Sequence, residues 1–256
     1  MKKFALVAKD DEISIKVAIT IQKKLIDAGL KYDETHPQIV CVIGGDGTFL
    51  SAIHKYMNEL DNIEFTGVHT GTLGFFVDYS LKEMDQCIND ILTKQPRIEK
   101  KRLLEINIVN QQKFYAVNEM WLQSHKTKTI DVYLNDQHLE WFHGSGLVIS
   151  TQTGSTAFNR SLNGAVVEPS IEVMEMAEIG GIHHSHYRSL KNPLIVAPET
   201  EIKLVCEDLS NTKLCFDRFD FDLSGKKEII CTLSQRKLQI AHYKSIQWVE
   251  HLKQLY

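Results

Sequence analysis

No stretch of this 256-residue chain is apolar for long enough to span a membrane. One run, Phe4–Ala8 behind Lys2 and Lys3, imitates an export signal, but it is too short for a signal core and reads as a first strand. Positive charge is not in surplus either. The 29 Lys and Arg stand against 33 Asp and Glu, and the net charge of −4 argues against a nucleic-acid binder. The five cysteines (Cys41, Cys87, Cys206, Cys215 and Cys231) are odd in number, scattered and without a Cys-x-x-Cys. That pattern suits a reducing compartment, the cytoplasm, with cysteines acting as small core residues. Internal repeats, low-complexity tracts and long linkers are missing. The glycine-rich turn near residue 45 is neither a Walker loop, since no Lys-Ser/Thr follows, nor a Gly-x-Gly-x-x-Gly fingerprint.

What is present is an ordinary globular composition, 43% hydrophobic and 24% charged, with room for one large or two modest domains. Strand and helix alternate over the first hundred residues. Phe4–Ala8, Ile39–Ile43 and Ile63–Val68 read as strands. Ile13, Val17, Ile21 and Leu25 form one helix stripe, and Phe49, Ile53, Met57 and Leu60 form another. Leu81–Leu92 is a third helix. This order predicts an α/β domain with a mainly parallel sheet over residues 1–98. Beyond Pro96, short alternating runs predict a β-rich domain over 99–242: Leu104–Val109, Phe114–Val117, Ile130–Leu134, Leu147–Ser150, Ile202–Cys206, Ile229–Leu233 and Leu238–Ala241. One helical interruption is expected over roughly 158–180, where Ile171, Met174 and Ala177 or Glu178 recur at helix spacing. Residues 243–256, amphipathic through Trp248, Leu252 and Leu255, are expected to pack back on the first domain.

The most informative stretch is Gly44-Gly45-Asp46-Gly47-Thr48. A buried strand ends there, and a helix begins. Glycines let the backbone approach a ligand, and N–H groups at a helix start suit phosphate oxygens. Asp46 is out of place beside phosphates unless it takes a proton or holds a metal, so it is the first candidate for chemistry. A tight turn with no further role is the plainer alternative. A second motif, Thr153-Gly154-Ser155-Thr156-Ala157-Phe158, joins a strand to the helical segment with small hydroxyl residues, which can cap a helix or present hydroxyls to a ligand.

Together with His69-Thr70-Gly71, Leu73-Gly74-Phe75 and Asn118-Glu119, these two motifs resemble the NAD kinase family over nearly the whole chain. The resemblance implies an α/β domain and a β-rich domain. It also implies transfer of the γ-phosphoryl group of ATP, with magnesium, to the 2′-hydroxyl of the adenosine ribose of NAD. Asp46 would be the general base, and the backbone of Gly44, Gly45, Asp46, Gly47 and Thr48 would hold the donor phosphates. Phe75 would lie against adenine, and Asn118 and Glu119 would bind ribose hydroxyls. Thr156, Ala157, Phe158 and Ser161 would shape the rest of the dinucleotide pocket. The family also implies a homodimer or homotetramer, with small-molecule substrates and no membrane or nucleic acid. Two rivals remain: a lipid kinase of the same superfamily, and a non-catalytic NAD(P) sensor.

Four positions depart from the family pattern: His143 where some relatives have Arg, Ser145 for Asp, Gln152 for Pro, and Arg218 for Gly after Asp217. His183, His184 and His186 fit a solvated loop or subunit contact better than a zinc site. Trp121 and Trp141 are expected to be packing residues, and Lys100-Lys101-Arg102 a solvated edge.

Overall fold

Asp11 starts the first helix. Its carboxylate accepts the Ser14 N–H at 2.8 Å, Glu12 lies in the first turn and Lys24 in the last, in line with the helix dipole. The computed structural model describes residues 1–71, 73–108, 112–245 and 248–253. Two compact units divide the chain: residues 1–101 with 236–256, and residues 102–235.

In the first unit, β1 (Lys3–Ala8) leads to α1 (Glu12–Asp27), β2 (Lys31–Tyr32), β3 (Ile39–Ile43), α2 (Asp46–Lys55) and β4 (Glu64–His69). Next come β5 (Tyr79–Ser80), α3 (Met84–Thr93) and β6 (Arg97–Ile108), whose later part belongs to the second unit. The sheet is parallel in the order β2, β1, β3, β4, and β5 pairs parallel with β4. β3 is central and all five of its residues are buried, so it reads as an unbroken apolar run. The inner face of α1 is Ser14, Val17, Ile21 and Leu25, while Ile13 is 56% exposed. A spacing of four drifts off a 3.6-residue turn, so Ser14 and not Ile13 completes the stripe.

The second unit contains β7 (Gln112–Ala116), β8 (Glu119–Ser124), β9 (Lys128–Leu134), β10 (Gln137–Gly144), β11 (Gly146–Thr151) and the short helix α4 (Phe158–Ser161). β12 (Met174–Ile179), β13 (Leu194–Val196), β14 (Ile202–Val205), β15 (Thr212–Phe216) and β16 (Phe219–Asp222) follow. β17 (Glu228–His242) then leads back to the first unit, where α5 (Trp248–Leu252) also lies. One antiparallel sheet runs β13, β12, β11, β8, β15, β16, and antiparallel pairs also join β10 to β9, β9 to β14 and β14 to β17. Met120, Leu122, Phe142, Ile149, Leu204 and Leu214 sit in the shared core.

Several expectations are corrected. Only 158–161 is helical in the 158–180 stretch, and Met174–Ile179 is a strand paired to β11 from Gly146↔Ile179 to Thr151↔Met174. Lying between β11 and β13, it is buried on both faces, and such a run carries no clear period of two. The two runs 229–233 and 238–241 are one strand. Their polar interval is anchored by Arg102, which donates to the carbonyls of Leu233 (2.6 Å) and Ser234 (2.9 Å). Lys101 and Arg102 are therefore buried, not a solvated edge; Lys101 pairs with Glu99 at 2.8 Å. Trp141 is 53% exposed, whereas Trp121 packs on Phe158. The second unit is also narrower than the 99–242 expected, because Gln239 and Ile240 of β17 pair in parallel with Glu64 and Phe65 of β4. Leu255 lies outside the described residues, and the buried residue of α5 is His251. All five cysteines are free and buried.

Within the first unit, His242 bridges Asp78 (2.8 Å) and Glu99 (2.9 Å). Burial works to lower its pKa, but the two carboxylates outweigh burial and push it up to about 9. Glu99 goes down to about 2, since His242 and Lys101 overcome its own burial.

Candidate functional site

In the first unit the site is built on the β3–α2 turn. Gly44 has φ +154°, and a Cβ there would lie 2.4 Å from the Thr48 hydroxyl, so the turn admits only glycine at that position. The N-cap of α2, Gly45, offers no side-chain cap to the first-turn N–H groups, and Asp46 lies in that first turn. Both oxygens of the Asp46 carboxylate accept the Phe75 N–H (3.1 and 3.0 Å), and one also accepts the Phe76 N–H (3.3 Å). This close approach requires Gly74, where a Cβ would lie 2.2 Å from Asp46 Oδ1. Burial raises the pKa of Asp46, while the N–H groups of Phe75 and Phe76 and the nearby His251 and His69 oppose the rise. Phe75 is thus brought to Asp46 through its backbone. Thr70, in the loop after β4, hydrogen-bonds Ser14 of α1 at 2.9 Å.

In the second unit Asn118 precedes β8 and Glu119 opens it, beside the second motif. Thr151 binds this segment twice: its hydroxyl donates to Val117 O (2.7 Å) and its N–H to Asn118 O (2.8 Å). The same hydroxyl accepts the N–H groups of Thr153 and Gly154 (3.1 and 3.2 Å), so Thr151 performs the local capping. Glu119 is 4% exposed and accepts the Phe158 N–H at 3.3 Å. Burial, reinforced by the charge of Asp217, pushes Glu119 up to about 8. Ser161 donates to Phe158 O at 2.7 Å, and Thr156 reaches Thr153 O at 3.5 Å. Asn118, Glu119, Thr156, Ala157, Phe158 and Ser161 therefore share one region of this unit.

Two residues there lay outside the sequence-based site. Asp217, at φ +46°, accepts the N–H groups of Val117 and Asn118, both at 2.8 Å, and its own N–H donates to Glu119 O at 3.1 Å. The Asp217-Arg218 pair was visible in the sequence, but only as a departure. Glu175 accepts Asn159 Nδ2 (2.7 Å) and the Ala165 N–H (2.8 Å), which fixes the chain after the second motif. Gln152 is buried, with Oε1 unpaired among the described residues. His143 stacks on Tyr187 at 4.2 Å, and His183 pairs with Glu178 at 3.3 Å. A cleft of about 780 Å³ is lined by Trp141, Tyr187, His186 and Lys128 among others, and none of the predicted site residues lines it.

Comparison with known proteins decides the family. The ATP-NAD kinase N-terminal domain model matches residues 2–95, and the ATP-NAD kinase C-terminal domain model matches residues 117–243. The NAD kinase of Lactobacillus gasseri is 36% identical over 247 residues, which is 94% of this chain and 92% of that protein. The chain belongs to the NAD kinase family. NAD kinase 1 of Oceanobacillus iheyensis is 32% identical over 94% of this chain and 93% of its own length. Among solved structures, yeast NADH kinase complexed with NADH has a TM-score of 0.86 at 18% identity, covering 100% of this chain and 87% of that one. An Archaeoglobus fulgidus NAD kinase in complex with ATP has a TM-score of 0.78 at 20% identity, covering 99% and 98%. These two share the fold: an α/β N-terminal domain and a β-rich C-terminal domain. With both family domains matched, the activity is that of an NAD kinase, a phosphotransferase that makes NADP from NAD. The lipid-kinase and sensor readings find no support among these relatives.

Proposed function

We propose that Asp46 is the general base of this NAD kinase and accepts the proton of the adenosine ribose 2′-hydroxyl as that oxygen attacks the γ-phosphorus of ATP. The observation that carries the reading is the geometry of Asp46: a half-buried carboxylate in the first turn of α2, fixed by the N–H groups of Phe75 and Phe76. A ribose hydroxyl is a poor nucleophile at neutral pH, and a carboxylate with a raised pKa is better matched to take its proton. The rest of the acceleration comes from positioning and charge neutralisation.

The backbone of Gly44, Gly45, Gly47 and Thr48 would hold the donor phosphates at the start of α2. ATP as donor is supported by the family description and by the ATP complex of the archaeal neighbour. Phe75 would lie against adenine. Asn118 and Glu119 would meet ribose hydroxyls, with Thr156, Ala157, Phe158 and Ser161 lining the rest of the dinucleotide site.

Magnesium fits these residues as a cation carried on the ATP phosphates. Among the described residues no group of three or more His, Cys, Asp or Glu is placed to hold a metal, and magnesium commonly rests on substrate phosphates with one or two carboxylates. Asp46 is the carboxylate closest in sequence to such phosphates. When bound, the ion neutralises phosphate charge. The buried free thiols support a reducing, cytoplasmic setting, and the family supports a homodimer or homotetramer.

Purified protein with ATP, magnesium and NAD is expected to yield NADP in a coupled dehydrogenase assay. The rate should fall about 10²- to 10⁴-fold in Asp46→Asn. Near-normal turnover of that variant refutes the assignment of the base.

A further inference from the structure

The Asp46 turn is held from a second side by the chain's C-terminal helix. His251 of α5 is 7% exposed. Its Nδ1–H donates to the Gly74 carbonyl at 2.6 Å, and its ring lies 5.9 Å from that of Phe75. Gly74 and Phe75 are joined by one peptide unit. That unit's N–H, on Phe75, is the donor that both Asp46 oxygens accept, and its C=O, on Gly74, is the acceptor for His251. A single peptide plane therefore links His251 to Asp46. Gripping one end of a rigid plane fixes the direction of the other end.

We infer that His251 is a positioning residue for phosphoryl transfer: by holding the Gly74–Phe75 peptide it sets the orientation of the Asp46 carboxylate toward the ribose hydroxyl. This inference rests on Asp46 being the base. It goes further by assigning a role in the reaction to α5, which carries none of the family motifs. The hydrogen bond also fixes the histidine's own state. A carbonyl only accepts, so Nδ1 must carry a proton whether the ring is neutral or charged. Its partner peptide cannot rotate without losing either this bond or the bond to Asp46. Polarisation through the peptide adds to the effect, since a C=O that accepts a bond makes its N–H a better donor.

The proposal separates donor from bulk. His251→Asn keeps an N–H donor near the Nδ1 position, whereas His251→Leu keeps apolar volume against Phe75 without a donor. His251→Leu should lose about 10- to 100-fold in kcat, the scale of a misplaced catalytic group, with little change in KM for ATP. His251→Asn should recover most of that loss. In the Asp46→Asn background, His251→Leu should cost almost nothing further, because the group it positions is gone.

All variants are compared by NADP formation per folded molecule, with the folded fraction taken from thermal melts. Wild-type kcat in His251→Leu overturns the inference, as does a His251→Asn variant as slow as His251→Leu, which would assign the effect to packing. A full further loss in the double variant overturns it too. Each of these results leaves the base intact so long as Asp46→Asn alone loses about 10²- to 10⁴-fold in kcat. A near-normal Asp46→Asn removes both readings.

Discussion

The two units treat buried acids in opposite ways. In the first, His242 sits between Asp78 and Glu99 with Lys101 alongside, and Glu99 is held down to about 2. In the second, burial raises Glu119, Glu140 and Glu175 alike, and each accepts backbone N–H groups: Phe158 for Glu119, Leu190 for Glu140, Ala165 for Glu175. Asp46 breaks the rule of its own unit, being raised and bound by backbone N–H groups. A raised carboxyl is thus the common condition of the second unit and carries little information there, whereas in the first unit it coincides with the proposed base. Environment assigns different work to similar acids.

The sharpest way to break this contrast is to exchange Asp46 and His242 in turn. Asp46→Asn should cost about 10²- to 10⁴-fold in kcat while the thermal midpoint stays put. His242→Leu should do the reverse. It strands Asp78 and Glu99 together and lowers stability by about 3–5 kcal/mol in denaturant titrations, with kcat per folded molecule retained. Linkage gives the same cluster a pH signature. With its folded pKa raised to about 9, His242 contributes stability that is complete below about 6.5, its unfolded value, and lost as pH rises through about 9.

Asp217→Ala tests whether the second unit uses its turn to aim Asn118 and Glu119. Two backbone N–H groups lose their acceptor, a cost of about 1–3 kcal/mol if they stay unpaired, and NAD binding by calorimetry should weaken about tenfold. Near pH 4.5 the smallest effect is expected from Glu119→Gln, and it grows as pH rises. A neutral amide replaces a carboxyl pushed up to about 8. The wild type binds more protons folded than unfolded between about pH 4.5 and 8, so its stability falls as pH rises across that window. The variant escapes this fall, and its thermal midpoint should gain on the wild type up to about pH 8 and run parallel above it.

Local patterns made much of this legible. The β3–α2 turn announces itself by glycines after an apolar run, and the parallel sheet follows from alternation. What stayed hidden depends on distant partners. Nothing near residue 46 reveals that Phe75 and Phe76 supply its donors, and nothing near 118 reveals the Asp217 clamp. The 158–180 segment misled because β12 is buried on both faces, so the alternation that marks a half-exposed strand is missing. Lys101 and Arg102 misled because charge predicts exposure only where no partner waits inside.

The first unit is assembled from both ends of the chain: residues 1–101 need 236–256 to complete them. The second unit is one unbroken segment. On the ribosome, the β-rich half can therefore close while the parallel sheet still waits for β17 beside β4 and for α5 against Gly74. The turn that is synthesised early is locked late, so a truncated nascent chain would carry the Asp46 motif without the contacts that hold it.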